Sequence, residues 1–178
     1  MGWGKQISFL SDLITEFGCM TNRFGICHGT RSGNEQKWFS DNLGPGVTVI
    51  GTDIAESAAD IPNSVQWDFH DENPEWEEKA DFVYSNSWDH CYDPSKAFTA
   101  WIKSLRAGGL LLIDWSIGHS QKGVTEMDPF GAKLEYLQHM FATNFNDFGR
   151  VVAIRKGDVH EGQQIHTIVF KKQLSDAE

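Results

Sequence analysis

Apolar and polar positions follow two periods along this chain, one typical of helices and one typical of strands. Four apolar residues at helical spacing between Leu10 and Phe17 predict a leading amphipathic helix over residues 7–17, which Gly18 can end. Short apolar or β-branched runs bounded by glycine, proline or polar clusters indicate strands. Such runs predict seven strands, at residues 24–28, 47–52, 65–68, 82–85, 110–115, 151–156 and 166–172.

Helical patterns separate most of the predicted strands. They cover residues 34–42, 93–105 and 131–144. Pro94 suits the first turn of the second helix, where its missing N–H costs no hydrogen bond. Ala107-Gly108-Gly109 is predicted to end that helix. Strands that alternate with helices favour a parallel sheet covered on both faces.

The last two predicted strands are separated by only nine residues. A parallel crossover needs a dozen or more residues, so this pair is predicted to form an antiparallel hairpin with its turn at residues 157–164. The fold class is therefore α/β: a Rossmann-like, mostly parallel seven-strand sheet with helices on both faces and a C-terminal antiparallel hairpin. No internal repeat or low-complexity linker indicates a second domain.

Composition fits one ordinary soluble domain, with 178 residues of which 40% are hydrophobic and 22% charged. The formal net charge of −10 disfavours nucleic acid, whose binding depends on clustered lysine and arginine. Cys19, Cys27 and Cys91 contain no CxxC pair and fit reduced thiols, and Cys27 is expected to be buried. The chain has no apolar run of ~18 residues and no signal-peptide pattern, so we expect a cytoplasmic protein that does not enter a membrane.

The turn after the first strand carries the clearest chemical signal. It reads Gly29-Thr30-Arg31-Ser32-Gly33, and Asp53 ends the second strand twenty positions later. An open α/β sheet builds a nucleoside pocket at these carboxyl ends of its strands. The glycines would allow close approach of a ligand, and Asp53 would accept hydrogen bonds from ribose hydroxyls. The plainer alternatives are turn glycines and an aspartate that caps a loop.

The spacing within this turn decides which nucleoside cofactor fits. A dinucleotide site would read G-x-G-x-x-G and a P-loop would continue into Gly-Lys-Ser/Thr, but the turn has neither pattern. Glu35, at the start of the next helix, would repel a pyrophosphate but suits a cationic ligand. S-adenosylmethionine combines a ribose and an adenine with a positively charged sulfonium and ammonium, and we predict it as the cofactor.

Two further residues have open roles around that cofactor. Asp68, followed by Phe69, is placed to bind and pack the adenine, unless the aspartate only forms an Asx turn. Arg31 either holds the carboxylate of the cofactor or pairs with Glu35 across one helical turn.

Five segments in order resemble the class I S-adenosylmethionine-dependent methyltransferases, close to their small type-11-like group. They are GTRSGNE (29–35), the strand end Val49–Asp53, WDFHD (67–71), ADFVYSNSWDHCYDP (80–94) and SLRAGGLLLID (104–114). The chain departs from the superfamily at Cys27 and His28, where an acidic residue and a glycine are frequent. The short link from Asp53 to Val65 also leaves room for little more than one helical turn.

The resemblance implies one methyltransferase domain over residues 1–178. Its parts would be an N-terminal helix or cap (1–23), a cofactor-binding core (24–115), an acceptor-side loop and helix (116–147) and a terminal hairpin (148–178). The predicted cofactor-binding residues are Gly29, Thr30, Arg31, Gly33, Asp53, Ile54, Asp68, Phe69, Ser85 and Asn86.

Four histidines follow or end predicted strands: His28, His70, His90 and His119. Imidazole titrates near neutral pH, so His90 and His119, together with Asp89, are our candidate catalytic residues. A hydrogen-bonding or loop role is the alternative for each of them. A metal site would need tight ligand spacing such as H-x-x-x-H, which is missing, and we predict no metal.

Tryptophans and one long irregular segment complete the candidates. Trp38 and Trp101 are expected in the core. Trp88 and Trp115 lie near the predicted active edge. Three roles are open for each of them there: packing in the core, contact with the sulfonium, or lining of an acceptor pocket. Residues 117–130 contain two glycines and a proline, and this segment is our candidate for acceptor recognition.

These patterns predict an enzyme that moves a methyl group from S-adenosylmethionine to a small-molecule acceptor. Such a displacement mainly requires that donor and acceptor are aligned and water is excluded. The alternative is a catalytically inactive nucleoside- or S-adenosylmethionine-binding module with a scaffold or regulatory role. Bound cofactor without product in an acceptor screen would favour that alternative. No oligomeric state is favoured by the sequence.

Overall fold

The computed structural model describes residues 3–18, 20–120, 126 and 129–174. The α-helices in this part of the chain are α1 (Gly4–Phe17), α2 (Asn34–Leu43), α3 (Pro94–Ser104) and α4 (Leu134–Asn144). The strands are β1 (Phe24–His28), β2 (Thr48–Asp53), β3 (Ser64–Gln66), β4 (Ala80–Ser85), β5 (Leu105–Trp115), β6 (Gly149–His160) and β7 (Gln163–Lys172). Short 3-10 helices cover Glu56–Asp60, Trp88–His90 and Ile117–His119.

The strands form one seven-stranded sheet in the order β3-β2-β1-β4-β5-β7-β6. Strands β1 to β5 run parallel to one another, and β7 is antiparallel to both β5 and β6. The predicted sheet with its C-terminal antiparallel hairpin is therefore confirmed. The strand order reverses between β1 and β4, and at such a switch point the loops part to leave a crevice at the carboxyl edge.

Apolar side chains cover both faces of this sheet. On the central strand β5, Leu110 and Leu112 pack in one core and Leu111 and Ile113 in the other, as the two-residue period of a strand requires. Helices α1 and α2 close the first core, and α3 and α4 close the second. The prediction of helices on both faces is confirmed.

Contrary to the prediction, Ala107-Gly108-Gly109 does not end a helix but lies within β5. Helix α3 already ends at Ser104, and β5 begins at the next residue. The pairing of β5 with β4 shifts register beside Ala80, and Gly108 has a positive φ of 75° there. A Cβ on Gly109 would lie 3.0 Å from the carbonyl oxygen of Ala80. The glycines therefore form an irregularity within the strand, where backbones approach closely.

The terminal hairpin is longer and its turn is tighter than predicted. Its turn is the pair Glu161-Gly162, whose φ angles of 48° and 77° are those of a two-residue hairpin turn. Residues predicted as turn are paired, with His160 opposite Gln163. Gly157, taken as a turn glycine, instead gives room for the Gln6 amide, which a Cβ there would clash with.

A buried polar cluster fixes α1 on the sheet. The Gln6 amide nitrogen donates to both carboxylate oxygens of Asp114 at 3.0 Å, and its oxygen accepts from the Asp158 N–H at 2.8 Å. Thr167 and Tyr84 also donate to Asp114, at 2.5 and 3.0 Å. The cluster joins α1 to four strands and holds its first turn against the carboxyl half of the sheet.

Several smaller expectations are also settled. The link from Asp53 to β3 holds only the 3-10 helix Glu56–Asp60, as its length predicted. Strand β3 ends at Gln66, earlier than predicted, which leaves Asp68 in the following loop. Cys27 and Cys91 are buried, and burial raises the pKa of both thiols, whereas Cys19 lies outside the described residues. None of the described helices is long and apolar enough to cross a membrane.

Candidate functional site

A cleft opens at the carboxyl ends of β1, β2 and β4, where the topology predicts a crevice. It has two lobes of about 310 and 700 Å³, and four residues line both of them: Gly29, Asp53, Ile54 and His90. The smaller lobe, here called the aromatic lobe, is also lined by Trp67, Asp68, Phe69, His70 and Tyr92. The larger lobe, here called the turn lobe, is lined mainly by residues 30–32, 34 and 35 and by Trp3, Asn86 and Ser87. We refer to both lobes together as the edge cleft.

Two glycines determine the backbone shape of the β1–α2 turn at the cleft. Gly29 has a φ of 75°, and a Cβ there would lie 2.6 Å from the Cβ of Ser87. Gly33 has a φ of 74° and is packed against Ile61, so it shapes the turn without lining the cleft. Only glycine fits both positions without strain, because their space and φ exclude a side chain.

Asp53 lies at the junction of the two lobes. Its Oδ2 accepts a hydrogen bond from the Arg31 N–H and its Oδ1 accepts one from the Ala55 N–H, both at 3.0 Å. These bonds fix the carboxylate across the mouth of the turn. Each oxygen keeps acceptor capacity for a ligand hydroxyl.

The aromatic lobe combines flat apolar faces with one carboxylate. Asp68 Oδ1 accepts hydrogen bonds from the backbone N–H and the Nδ1 of His70, at 3.0 and 2.7 Å. Burial raises the pKa of Asp68, but the hydrogen bonds from His70 outweigh it and leave the pKa below its ordinary value. The carboxylate is therefore ionised at neutral pH, and its Oδ2 makes no hydrogen bond to the described residues.

Two exposed apolar side chains flank this lobe. Tyr92 stacks on His70 with ring centroids 3.8 Å apart, yet 66% of the residue is exposed, and Ile54 is 70% exposed. The Trp101 indole donates to the Phe69 carbonyl at 2.8 Å and fixes the loop below them. Sequence reasoning missed Tyr92 and also Trp67. Tyr92 had only the signal of an aromatic residue inside a polar stretch, and Trp67 lies in the predicted third strand, where an aromatic residue is ordinary.

Glu35 brings an uncompensated carboxylate to the turn lobe. It lies in the first turn of α2, and its Oε2 is buried without a hydrogen-bond partner among the described residues. Burial raises the pKa of Glu35, and its charge raises the pKa of Cys27 below the turn. The predicted alternative of an Arg31–Glu35 ion pair is not found in the described part of the chain; Arg31 is exposed. A cationic ligand group would give this carboxylate the partner it lacks.

Ser85 and Asn86 support the cleft in different ways. Ser85 is fully buried below it, where its hydroxyl donates to the His28 carbonyl and accepts from the Ser87 N–H, at 3.1 and 3.0 Å. Asn86 lines the turn lobe. The end of β4 is thereby fixed to the end of β1, and Ser85 itself does not reach the cleft surface.

The four histidines have four different environments. His28 is buried, stacks on Trp101 with centroids 5.0 Å apart, and burial lowers its pKa to about 3, so the ring is neutral. The buried His70 ring is held by Asp68. His90 has a half-exposed side chain and lines both lobes, with its Nε2 4.0 Å from Asp89 Oδ1.

His119 uses both ring nitrogens within the protein. Its Nδ1 accepts from the Ser116 N–H at 3.0 Å, and its Nε2 donates to the Asn86 carbonyl at 2.9 Å. The ring also stacks on Trp88, with centroids 5.3 Å apart. This histidine fixes the loop after β5 to the end of β4.

The four tryptophans considered in the sequence differ in burial. Trp101 and Trp88 are fully buried, so for Trp88 the core alternative is correct; its indole donates to the Asp114 carbonyl at 2.8 Å. Trp38 and Trp115 are half-buried. Of the segment 117–130, residues 121–125, 127 and 128 lie outside the described part. No group of three His, Cys, Asp or Glu side chains that could hold a metal ion occurs in the described part.

Solved structures share this architecture at low sequence identity. An S-adenosylmethionine-dependent methyltransferase from Aquifex aeolicus superposes with a TM-score of 0.69 at 12% identity, covering 97% of this chain and 94% of that one. The fold is that of a class I S-adenosylmethionine-dependent methyltransferase. No protein-family model and no curated protein sequence matches the chain, so its place in the type-11-like group stays a prediction.

Two other solved structures extend the comparison of the methyltransferase fold. The Burkholderia thailandensis 1,6-didemethyltoxoflavin-N1-methyltransferase, solved with 1,6-didemethyltoxoflavin and S-adenosylhomocysteine, gives a TM-score of 0.68 at 12% identity over 96% of this chain and 78% of its own. A geranyl diphosphate methyltransferase in complex with S-adenosylmethionine gives 0.66 at 13% identity over 93% and 85%. One fold thus serves acceptors as different as these, so the fold alone does not identify the acceptor of this chain.

Proposed function

We propose that this protein is an S-adenosylmethionine-dependent methyltransferase acting on a small-molecule acceptor, in a single methyltransferase domain over residues 1–178. The observation that carries the proposal is the edge cleft, in which Asp53 separates an aromatic lobe from a lobe with the uncompensated carboxylate of Glu35. The ligand that fits must be flat and apolar at one end, carry hydroxyls in the middle and be cationic at the other end. S-adenosylmethionine has these features in this order.

The residues present fit the cofactor piece by piece. Phe69, Trp67 and Tyr92 would pack the adenine, and the Asp68 carboxylate would accept from its amino group. Asp53 would bind the ribose hydroxyls through oxygens already oriented by two backbone N–H groups. Residues of the turn lobe would hold the amino-acid end of the cofactor.

In the turn lobe, opposite charges are available for both ends of an amino acid. Glu35 would bind the ammonium, and the exposed Arg31 would bind the carboxylate. Thr30 and Asn86 would add polar contacts, and Gly29 would allow the close approach. Ser85 and Gly33 would contribute indirectly, by shaping the loops that carry these groups.

When bound, S-adenosylmethionine supplies an electrophilic methyl group on a sulfonium. The chain would align the acceptor with it and exclude water. His90 lines both lobes with a half-exposed ring and would take a proton from an acceptor that must lose one, with Asp89 beside it. His119 would position the β4 end through its bond to the Asn86 carbonyl.

Calorimetric titration with S-adenosylmethionine tests the donor site. We expect Asp53→Ala to weaken binding by at least about 10-fold, because hydrogen bonds to a charged group are lost. Asp60→Ala, an exposed aspartate of the neighbouring 3-10 helix, is the matched control and should bind as the wild type does. Circular dichroism must show that both variants are folded. Equal affinity of a folded Asp53→Ala variant and the wild type would contradict the proposed site.

A further inference from the structure

A third cavity, of about 290 Å³, adjoins the edge cleft. Its walls come from the start of α1, the 3-10 helix Trp88–His90, the loop after β5 and the tip of the β6–β7 hairpin. We call it the hairpin cavity. Its size suits a small organic molecule rather than a polymer.

Three connections place the hairpin cavity beside the edge cleft. Trp3 lines both. Asp89 lines the hairpin cavity, while the next residue, His90, lines the cleft. His119, in the cavity wall, donates to the carbonyl of Asn86, which lines the turn lobe. A ligand in the hairpin cavity therefore lies next to the proposed reaction centre.

The lining of the hairpin cavity is aromatic and acidic. The Trp3 ring packs on the His160 ring, with centroids 4.5 Å apart and planes at 39°. Glu161 Oε1 lies 3.9 Å from His160 Nε2, and Asp89 lines the same cavity. None of the described residues that line it is Lys or Arg. Ile165 adds a buried apolar surface.

The cavity is built by contacts within the fold. The Gly118 N–H donates to the Gln163 side-chain oxygen at 3.0 Å, which fastens the loop after β5 to the hairpin. The Gln6 amide holds α1 and thereby places Trp3 at the entrance. These hydrogen bonds join α1, the loop after β5 and the hairpin to one another around the cavity.

We propose that the hairpin cavity binds the methyl acceptor and that this acceptor is a small amine, recognised in its protonated form. An indole face attracts a cation, and the carboxylates of Asp89 and Glu161 in the described lining favour one further. The same charges repel carboxylate and phosphate ligands. The role of the cavity as the acceptor site rests on the proposed function. Its preference for amines over carboxylates does not depend on that function.

Because transfer needs a free nitrogen lone pair, the bound ammonium would first give one proton to His90 or Asp89. The nitrogen would then take the methyl group as its bond to sulfur breaks, and the donor would leave as the neutral thioether S-adenosylhomocysteine.

Binding of three probes of similar shape tests this preference: 2-phenylethylamine, 2-phenylethanol and 3-phenylpropanoate. The readout is the indole N–H resonance of Trp3 in ¹H–¹⁵N NMR spectra, assigned with Trp3→Phe. We expect saturable binding of the amine, at least about tenfold tighter than that of the carboxylate. The carboxylates of the cavity attract the ammonium and repel the carboxylate, and a modest difference in interaction energy gives a tenfold ratio of affinities. The alcohol should fall between them.

Variants separate recognition by the cavity from general attraction to an acidic protein. Glu161 is an exposed turn residue, so Glu161→Gln should fold normally, and it should weaken amine binding by about 3-fold or more. Combination with Asp89→Asn should weaken it further. Glu135→Gln, an exposed position on α4 outside the cavity, is the matched control and should leave amine binding unchanged.

Three results would overturn the proposal: no saturable shift of the Trp3 resonance with the amine, equal affinity for amine and carboxylate, or equal amine affinity in the double variant. The titrations are run with and without S-adenosylhomocysteine, whose own binding is measured by calorimetry. If the wild type does not bind S-adenosylhomocysteine, the proposed function is contradicted. Amine binding would still be measured in the sample that contains no S-adenosylhomocysteine. The two failures are therefore distinguishable.

Discussion

At the scale of single residues, Glu35 is the least satisfied group of the edge cleft. A buried carboxylate oxygen without a partner costs free energy, since the hydration that it loses on folding is not replaced. The cost lies at the position where a cationic ligand group would offset it. Glu35 is therefore better explained as a binding residue than as a stabilising one.

Substitution of Glu35 by Gln separates these two roles. The neutral amide keeps the shape of the side chain but removes the buried charge, so the ligand-free protein should become more stable. Relief of about 1 kcal/mol would raise its melting temperature by about 2–4 °C. Affinity for S-adenosylmethionine should fall by about 10-fold, because the ammonium loses its counter-charge.

Calorimetry and thermal unfolding measure both effects on the same samples. Glu56→Gln, at an exposed acidic position near the cleft, serves as the control and should change neither. If Glu35→Gln binds the cofactor as tightly as the wild type, Glu35 has no part in cofactor binding.

The histidines show how far the sequence reaches at this scale. Their positions after strands predicted the shared carboxyl edge, because parallel strands end together there. Their roles depend on distant partners instead: Trp101 covers His28, and Ser116 and Asn86 occupy both nitrogens of His119. No local pattern encodes such contacts. The sequence could therefore name His90 as a candidate, but it could not show how the environment of His90 differs from those of the other three histidines.

At the scale of elements, the attachment of α1 depends on one amide. Gln6 binds Asp114 and Thr167 with its nitrogen and the Asp158 N–H with its oxygen. Replacement by Met keeps the length of the side chain but leaves buried polar groups on three strands without this partner. The free energy of unfolding should fall by about 2–4 kcal/mol.

Urea denaturation of Gln6→Met measures this loss, and Lys5→Met, on the exposed side of the same helix, is its control. Because α1 carries Trp3, the variant should also lose amine binding in the hairpin cavity. A variant within about 0.5 kcal/mol of the wild type would show that α1 is held by its apolar face alone.

Periodicity predicted the elements well and their junctions poorly. Strand and helix patterns depend on burial along one element, which the local sequence records. The irregularity at Gly108 and the turn at Glu161-Gly162 depend on the partner strand, and the room at Gly157 depends on Gln6 from the other end of the chain. A glycine in the sequence marks close approach or unusual φ, but it does not say which neighbour requires it.

At the scale of the whole molecule, two buried groups give opposite dependences of stability on pH. Burial raises the pKa of Asp114 to about 6, and hydrogen bonds from Thr167, Tyr84 and Gln6 only partly offset it. The folded state therefore binds a proton at Asp114 more readily than the unfolded state does. The contribution of Asp114 to the free energy of unfolding decreases as pH rises from about 4 to 6. Burial lowers the pKa of His28 to about 3, so stability from this group decreases as pH falls below about 6.5.

Between pH 6.5 and 4.5 these two contributions nearly cancel in the wild type. Each changes by about 2 kcal/mol over this range, with opposite sign, as the difference between folded and unfolded pKa values requires. Asp114→Asn removes the first contribution and leaves that of His28. The variant should therefore lose about 2 kcal/mol more than the wild type on acidification from pH 6.5 to 4.5. Urea denaturation at both pH values measures the difference, in which all other titrating groups cancel, and parallel pH profiles would show that Asp114 is already ionised at pH 4.5.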